Sequence, residues 1–571
     1  MHRLTRSGAA LAAVTAILLT AAPAAAGTPP SRAPSQAAPA AAGGPRSHAA
    51  PAVGAPDTAD LPAYLRDRQA RDNIPGLAVA VVHGDQVIRS YAEGETGDGE
   101  AVTATTPFLI GSVSKPITAT AVLGLVEDGL IGLDDPVRRH LPDFRTTDEP
   151  ASDRVTVRHL LTHTSGLPDV AGTRHTDRFD NEPGGLDRAL QSLAEVRPIA
   201  APGEAHEYSS GNYIVLGALV EAVTGRTFAE QLRRTVVEPL DMRHTATTAA
   251  EAERVGVPAG HRTYLGRPQR FDSPYDTSGV PYGYVAASVT DLSHFATAQL
   301  NGGRYGTSQL VEPETVERMH RGTAAISSGG AYGLGWRDTT LDQTGARIVW
   351  HGGALPGYFA HLLVVPDADL AVVVLANRYS LADDGPLTSI GFDVVRMLTG
   401  GSAEPAAADP MLTWLAPALL AVAGVLALAL IGTVVRGVRR LRAGPRGAVT
   451  TGRSGRRAVI ATAGWVLGYG LLAGAVSWGL PSLFGGRGLD FFAFWMPDVR
   501  HAVIAVVALA VSNALVRVGL TVATVRAGRA TVSGRAGSTP DAASRRVGGA
   551  PTASRVDHEG ARQDQSEPVS R

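Results

Sequence analysis

The period of the hydrophobic positions changes several times along the chain, and those changes mark its organisation. Leu61 to Ala70 has helical spacing and is stopped by Asn73-Ile74-Pro75-Gly76, which predicts a short helix. Leu77 to Val82 and Val87 to Tyr91 are β-branched runs joined by Gly84-Asp85, a hairpin signal. A long apolar helix is predicted from the Ser112 segment through Val126, stopped at Gly129. Residues 170–330 read as helix-rich and irregular, with loops at Pro202-Gly203 and Gly302-Gly303. The strand pattern returns at Arg347 to Trp350, Tyr358 to Val365 and Leu370 to Leu375, with Pro366-Asp367 turning the last pair and a closing helix at Leu387 to Leu398. Strands early, helices in the middle and strands late predict an α+β domain over residues 60–400, its sheet assembled from both ends of the segment.

After Asp409 the pattern changes to uninterrupted apolar runs. Residues 412–435 and 458–480 are each long enough to span a bilayer. A third span is predicted at 501–524; its apolar core is His501 to Val516, and Arg517 can snorkel from the end of that core. The 436–457 loop carries eight arginines and no acid, and the 525–571 tail is polar and arginine-bearing, predicted to be disordered. The positive-inside rule puts both in the cytoplasm and the 60–400 domain outside, in a multi-pass cell-membrane protein. Phe491, Phe492, Phe494 and Trp495, in the loop from Pro481 to Asp498, suit a membrane interface. At the other end, residues 1–26 read as a secretory signal peptide: Arg3 and Arg6, then a short apolar run, then Ala24-Ala25-Ala26. An uncleaved anchor helix is the alternative. Residues 27–59 form an Ala/Pro-rich linker.

Charge agrees with this division. The net charge of −1 over 571 residues conceals a basic C-terminal part, where 19 basic side chains face 9 acidic ones after residue 400. No basic patch with aromatics occurs in the first part, so nucleic acid is not predicted as a partner. The chain has no cysteine, which removes disulfides, thiolate metal sites and a cysteine nucleophile. It also has a single lysine, Lys115, in Gly111-Ser112-Val113-Ser114-Lys115-Pro116-Ile117-Thr118. Arginine stays charged everywhere, whereas a buried lysine can lose its proton. Ser112 lies three residues earlier, so on a helix the two side chains can touch. A neutral amine can take the proton of that hydroxyl and make it a nucleophile.

Other motifs join this one. His159 and His163 have a spacing that can bind zinc, but Leu160 stands where a zinc peptidase needs glutamate, so no metal is predicted. Gly132-Leu133-Asp134-Asp135-Pro136-Val137 follows the Ser112 helix. Tyr208-Ser209-Ser210 opens a stretch running to Gly217, and His351-Gly352-Gly353 ends a predicted strand. With the His159–Pro168 stretch, these motifs resemble, in order, the serine β-lactamase-related hydrolases. That family includes class C β-lactamases, D-alanyl-D-alanine carboxypeptidases, D-aminopeptidases and esterases. The resemblance covers residues 60–400. It implies a β-lactamase/transpeptidase-like fold, with an antiparallel sheet flanked by helices, a mostly helical subdomain and Ser112 in the cleft between them.

The resemblance also implies roles. Ser112 would be the acylated nucleophile, Lys115 would share its proton, and Tyr208 would be a phenolate-like base. His351 and Gly353 would replace the family's Lys-Thr-Gly strand. Backbone N–H groups of Ser112 and Ala354 would form the oxyanion hole, with Gly353 and Ser210 beside the substrate. Serine at 210 departs from the family's asparagine and offers one donor in place of an amide. His163 is expected to pack the loop beneath the site. Free tyrosine is a poor base at neutral pH, but nearby cations favour the phenolate. Lys115 and a protonated His351 are the expected cations. On that expectation activity falls as His351 deprotonates, between roughly pH 6 and 8.

The resulting expectation is a membrane-anchored extracytoplasmic serine hydrolase without cofactor or metal. It would act on an amide or ester, either a D-amino-peptide of peptidoglycan type or a small ester. A true β-lactamase and a penicillin-acylated sensor are the alternatives. No Gly-x-Ser-x-Gly elbow is present. The spans lack central charges and read as anchors in the lipid bilayer.

Overall fold

The computed structural model describes residues 56–169, 175–327, 329–442 and 452–536. The expected signal peptide, the linker up to residue 55 and the tail beyond residue 536 lie outside the described residues.

Helix α1 (Leu61–Arg71) leads into the hairpin β1 (Gly76–His83) and β2 (Gln86–Gly94). The chain then leaves the sheet to build a mostly helical subdomain around α2 (Ser114–Glu127) and α3 (Ser210–Thr224). It returns through α4 (Val289–Leu300) to the short strands β3 (Ala324–Ala325), β4 (Ala331–Tyr332) and β5 (Arg337–Thr340). The long strands β6 (Arg347–Leu355), β7 (Tyr358–Val365) and β8 (Leu370–Ala376) follow, and then α5 (Asp384–Leu398). Together these make one eight-stranded antiparallel sheet in the order β2-β1-β8-β7-β6-β5-β4-β3. The first hairpin therefore pairs with the last strand, from Leu77 opposite Ala376 to His83 opposite Leu370.

Strand periodicity divides the core. On β1, Leu77, Val79 and Val81 face the layer formed by α1 and α5, while Ala78, Ala80 and Val82 face α4 and the helical subdomain. Two deeply buried layers on one sheet explain why the central strands read as continuous apolar runs. Strand β6 is longer than the sequence predicts. Arg347 to Trp350 pairs with β5, but pairing with β7 continues to Leu355, so His351-Gly352-Gly353 lies inside the strand. Beyond Trp350 the β5 side of β6 carries no ladder.

A buried ion pair ties α1 to α5. Arg68 Nη1 lies 3.2 Å from Asp393 Oδ2, and both side chains are fully buried. Tyr64 Oη donates to the same oxygen at 2.6 Å, and Arg68 Nη2 donates to the Pro386 carbonyl at 2.7 Å.

Three long apolar helices follow: α6 (Pro410–Arg442), α7 (Gly452–Gly474, extended by further helical turns to Leu483) and α9 (Pro497–Ala536). Each is long and apolar enough to cross a membrane. Both ends of the sequence reading need correction here. The helix of α6 runs into the arginine loop, and α9 runs on to Ala536, where a disordered tail was expected from 525. Alanine and arginine are good helix formers, so nothing stops the helix where the apolar run stops. The aromatics expected at a membrane interface are placed differently too. On α8 (Leu489–Trp495), Phe491 and Phe492 are buried in the core of the helix bundle, while Phe494 and Trp495 pack against the domain.

Arg68 is also paired with Asp72, 2.8 Å from Nη2, so it keeps one carboxylate when Asp393 is removed. Asp393→Ala is expected to destabilise the domain by ~2 kcal/mol, the scale of a lost charged hydrogen bond. Denaturant unfolding would measure this.

Candidate active site

Ser112 sits on a single 3₁₀ turn, Gly111–Val113, that feeds α2. The Ser-x-x-Lys contact forms across that junction, with Lys115 Nζ 3.0 Å from Ser112 Oγ. Lys115 is fully buried. Its nitrogen also donates to the Tyr282 carbonyl at 2.8 Å and reaches Ser210 Oγ at 3.3 Å. Three tyrosine rings surround it, Tyr208 at 4.9 Å, Tyr213 at 5.5 Å and Tyr282 at 5.8 Å from the centroids. Burial pulls the amine down to about 7, against the opposing pull of the Asp169 and Asp177 carboxylates. The contact set serves both protonation states. The carbonyl only accepts, while both hydroxyls can donate or accept, so a neutral amine can turn its lone pair to the Ser112 hydroxyl.

Gly353 and Ala354 of β6 press against the Gly111–Val113 turn. A Cβ on Gly353 would stand 2.0 Å from the Ile110 carbonyl oxygen and 2.8 Å from Ser112 N. A Cβ on Gly111, which has φ of +53°, would stand 2.3 Å from Ala354 N. Only glycine fits at either position, and the close approach brings the Ser112 and Ala354 amides onto neighbouring segments.

Tyr208 precedes the N-terminus of α3, which Ser209 caps. The ionisation expected from sequence is reversed. Burial pushes the Tyr208 phenol above its ordinary value, although the Ser112 hydroxyl and the Arg337 charge oppose this. His351 requires a matching correction. It is buried, its Nδ1 lies 2.7 Å from the Gly352 carbonyl, and its Nε2 lies 2.9 Å from Tyr332 Oη. A carbonyl must receive a proton, so Nδ1 carries it and Nε2 accepts from Tyr332. Burial and the Lys115 and Arg337 charges hold this imidazole well below its ordinary value. A neutral His351 cannot supply the cation, and no pH limb from its titration is expected.

His163 lies under the site. Its Nδ1 accepts from Ser209 N at 3.1 Å and from Asn212 Nδ2 at 3.0 Å, and its ring lies 4.4 Å from that of Tyr208. Asn212 is anchored in turn to Ser165 Oγ at 2.5 Å. No group of residues suited to hold a metal occurs among the described residues. His159 faces away from such a role, because it completes the N-terminal cap of the 157–161 helix with Thr156.

One residue was missed from sequence. Arg337, on β5, holds its guanidinium 5.8 Å from the Tyr208 ring and 5.1 Å from the Trp350 ring. It has no carboxylate partner among the described residues. As one arginine among dozens, it carried no signal beyond its position fourteen residues before His351.

Comparison with known proteins settles the family. The Beta-lactamase family model matches residues 61–390, more than half of the chain. The chain belongs to the β-lactamase family. Penicillin-binding protein 4 of Amycolatopsis lactamdurans is 32% identical over 340 residues, covering 57% of this chain and 86% of the relative. Protein flp of Staphylococcus aureus strain N315 is 27% identical over 315 residues, covering 54% of this chain and 61% of flp. Among solved structures, the octameric penicillin-binding protein homologue from Pyrococcus abyssi aligns with a TM-score of 0.51 at 25% identity, covering 61% of this chain and 78% of that one. The family match covers the sheet and its helical subdomain.

Gly353→Ala is expected to force β6 away from the nucleophile turn. The rate of Ser112 labelling by a fluorophosphonate should fall ~100-fold, the scale of losing one oxyanion donor. Mass spectrometry of the labelled protein would read it.

Proposed function

We propose that this chain is a membrane-anchored extracytoplasmic serine hydrolase that forms an acyl-enzyme on Ser112. The observation that carries this is the buried Lys115 amine, 3.0 Å from Ser112 Oγ and balanced near neutrality by burial. In the proposed cycle the Ser112 proton passes to Lys115 as Oγ adds to the substrate carbonyl. The Ser112 and Ala354 N–H groups donate to the oxyanion. Tyr208, a protonated phenol whose ring lies 4.9 Å from Lys115 Nζ, gives its proton to the departing nitrogen or oxygen. Lys115 then returns a proton to Tyr208, and water completes hydrolysis with the same groups in reverse.

The substrate we infer is an amide or ester bearing a carboxylate, such as a D-amino-peptide of peptidoglycan type. Arg337 supports this, as a guanidinium beside Tyr208 with no acidic partner among the described residues. Among the described residues, the ladder between β5 and β6 ends at Trp350, so an extended peptide could pair with β6 beyond it. The penicillin-binding relative supports the same substrate class. Ser210 bonds Lys115, which leaves no asparagine amide to hold a β-lactam side chain. We therefore place efficient β-lactam turnover second.

The three apolar helices and the arginine-rich segments between and after them support an anchor with the hydrolase domain outside the cell.

In the full chain, labelled penicillin or fluorophosphonate should modify wild-type protein and spare Ser112→Ala. Hydrolysis of a D-amino-peptide or ester panel should rise with pH through about 7 as Lys115 becomes neutral. Lys115→Arg, which cannot deprotonate, should lose at least ~1,000-fold. Activity retained in Lys115→Arg would refute the mechanism. Arg337→Gln should raise KM for carboxylate-bearing substrates ~10-fold and leave a neutral ester unchanged.

A further inference from the structure

A hairpin of two short strands, Gly260–Tyr264 and Arg267–Phe271, stands beside the main sheet. Its base belongs to the domain. Arg378–Tyr379, just past β8, pairs in parallel with His261 and Arg262, and His261 N donates to the Asn377 carbonyl at 2.8 Å. Its outer part meets the helix bundle. Arg262 lies 3.7 Å over the Phe271 ring and donates to the Ala493 carbonyl at 3.2 Å, while Phe494 packs 6.3 Å from Phe271. At the tip, Leu265 N donates to Asp498 Oδ2 at 3.1 Å, and Tyr264 Oη lies 3.4 Å from His501 Nδ1.

The tip carries an unexpected residue. Leu265 and Gly266 are the central pair of the turn, with φ of +49° and +79°. Positive φ at both positions is the pattern of a type I′ turn, which selects Asn-Gly, Asp-Gly or Gly-Gly. Leucine is disfavoured in this left-handed region, because its Cβ crowds the following carbonyl oxygen. The side chain gains little cover in return, being 45% exposed. A large apolar side chain held at a position that disfavours it, outside any core, marks a contact that the described residues do not supply.

The depth of the tip identifies that contact. Asn513 Nδ2 of α9 donates to the Leu426 carbonyl of α6 at 2.9 Å. The two residues stand equally far from the starts of their helices, so α6 and α9 run side by side in register. By the same count His501 of α9 is level with Trp414 of α6. Trp414 and Trp478, the latter near the domain-side end of α7, are both exposed. Exposed tryptophans at one end of a set of apolar helices mark the bilayer interface. Ile504, less than one turn beyond His501, is the first exposed large apolar residue of α9. The hairpin tip therefore sits where headgroups meet hydrocarbon.

We propose that the 264–267 turn is a further membrane contact of the domain. Leu265 enters the boundary layer of the leaflet on the domain's side, with Tyr264 at headgroup depth. The domain is thereby held to the bilayer at a point of its own, apart from the helices that cross it. The β6–β7 turn abuts the base of this hairpin, where a Cβ on Gly260 would stand 2.3 Å from the Gly357 carbonyl oxygen. The end of β6 that carries Gly353 and Ala354 is thus the end nearest this contact. The inference rests on reading the three apolar helices as membrane spans.

The chain has no cysteine, so single-cysteine variants of the full chain can each carry one NBD fluorophore. The samples are nanodiscs of phosphatidylcholine and phosphatidylglycerol, with and without brominated lipid. Leu428→Cys, exposed midway along α6, reports whether the apolar helices cross the bilayer. Val87→Cys, exposed and opposite Val82 at the far end of the sheet, reports the domain away from the hairpin. The probe at Leu265→Cys should be quenched at least ~2-fold by brominated lipid, as at Leu428→Cys, and the probe at Val87→Cys should be unaffected. Because the fluorophore is itself apolar, a probe at Arg267→Cys reads the tip with Leu265 in place. Its quenching should be lost in Leu265→Asn, a substitution that suits the turn and keeps the hairpin folded. Quenching at Leu428→Cys with none at Leu265→Cys overturns the proposal, as does an Arg267→Cys signal that survives Leu265→Asn. Absence of quenching at Leu428→Cys means that the helices do not cross the bilayer, and the anchor reading then fails together with this one.

Discussion

A primary amine buried beside a hydroxyl, with no carboxylate in hydrogen-bond contact, is the constraint on which the rest of the site depends. Burying an ammonium is costly unless it is paired and hydrogen-bonded, and a lysine under that pressure surrenders its proton instead. Here the pressure is only partly relieved. A carbonyl, two hydroxyls and three aromatic faces favour the charged form, and two carboxylates assist from farther away. The balance falls near neutrality, where an amine both accepts and returns a proton with little loss. Every element around the cleft contributes one of these terms: the 3₁₀ turn brings Ser112, the start of α3 brings Ser210 and Tyr208, and the segment before α4 brings the Tyr282 carbonyl.

The surrounding rings are arranged so that none competes for the proton. His351 is locked as one neutral tautomer by a carbonyl on one nitrogen and the Tyr332 hydroxyl on the other. His163 is locked by two N–H donors at Nδ1. With both imidazoles neutral, the fixed positive charge beside Tyr208 is the Arg337 guanidinium, 5.8 Å from the Tyr208 ring and 5.1 Å from the Trp350 ring.

Much of this was legible in the sequence, for reasons that can be named. The β-branched runs at both ends of the domain pointed to a sheet assembled from both ends, and the pairing of the first hairpin with the last strand bears this out. Lys115 was visible because a chain that otherwise uses arginine throughout kept one deprotonatable amine. Arg337 was invisible for the same reason, since in an arginine-rich chain one more arginine carries no information. The charge states of Tyr208 and His351 were misread because they depend on burial and tautomer, and a motif records neither. The extent of β6 was missed because glycines look like a strand end. At Gly353 the missing side chain instead permits a close approach to Ile110 and Ser112.

The three apolar helices raise a different physical question, namely why there are three. One apolar helix of about 20 residues is long enough to cross a bilayer. The first helix starts directly after the domain, so the first helix leads the chain away from it and the second leads it back. The loop before the third helix is therefore the earliest point at which the bundle can meet the domain again, and it is there that Arg487, Phe494 and Trp495 make their contacts. Those contacts fall on Asp169 and Phe179, on the side hairpin at Arg262 and Phe271, and on Tyr379, whose strand pairs with that hairpin. A tether alone needs no such return to the domain.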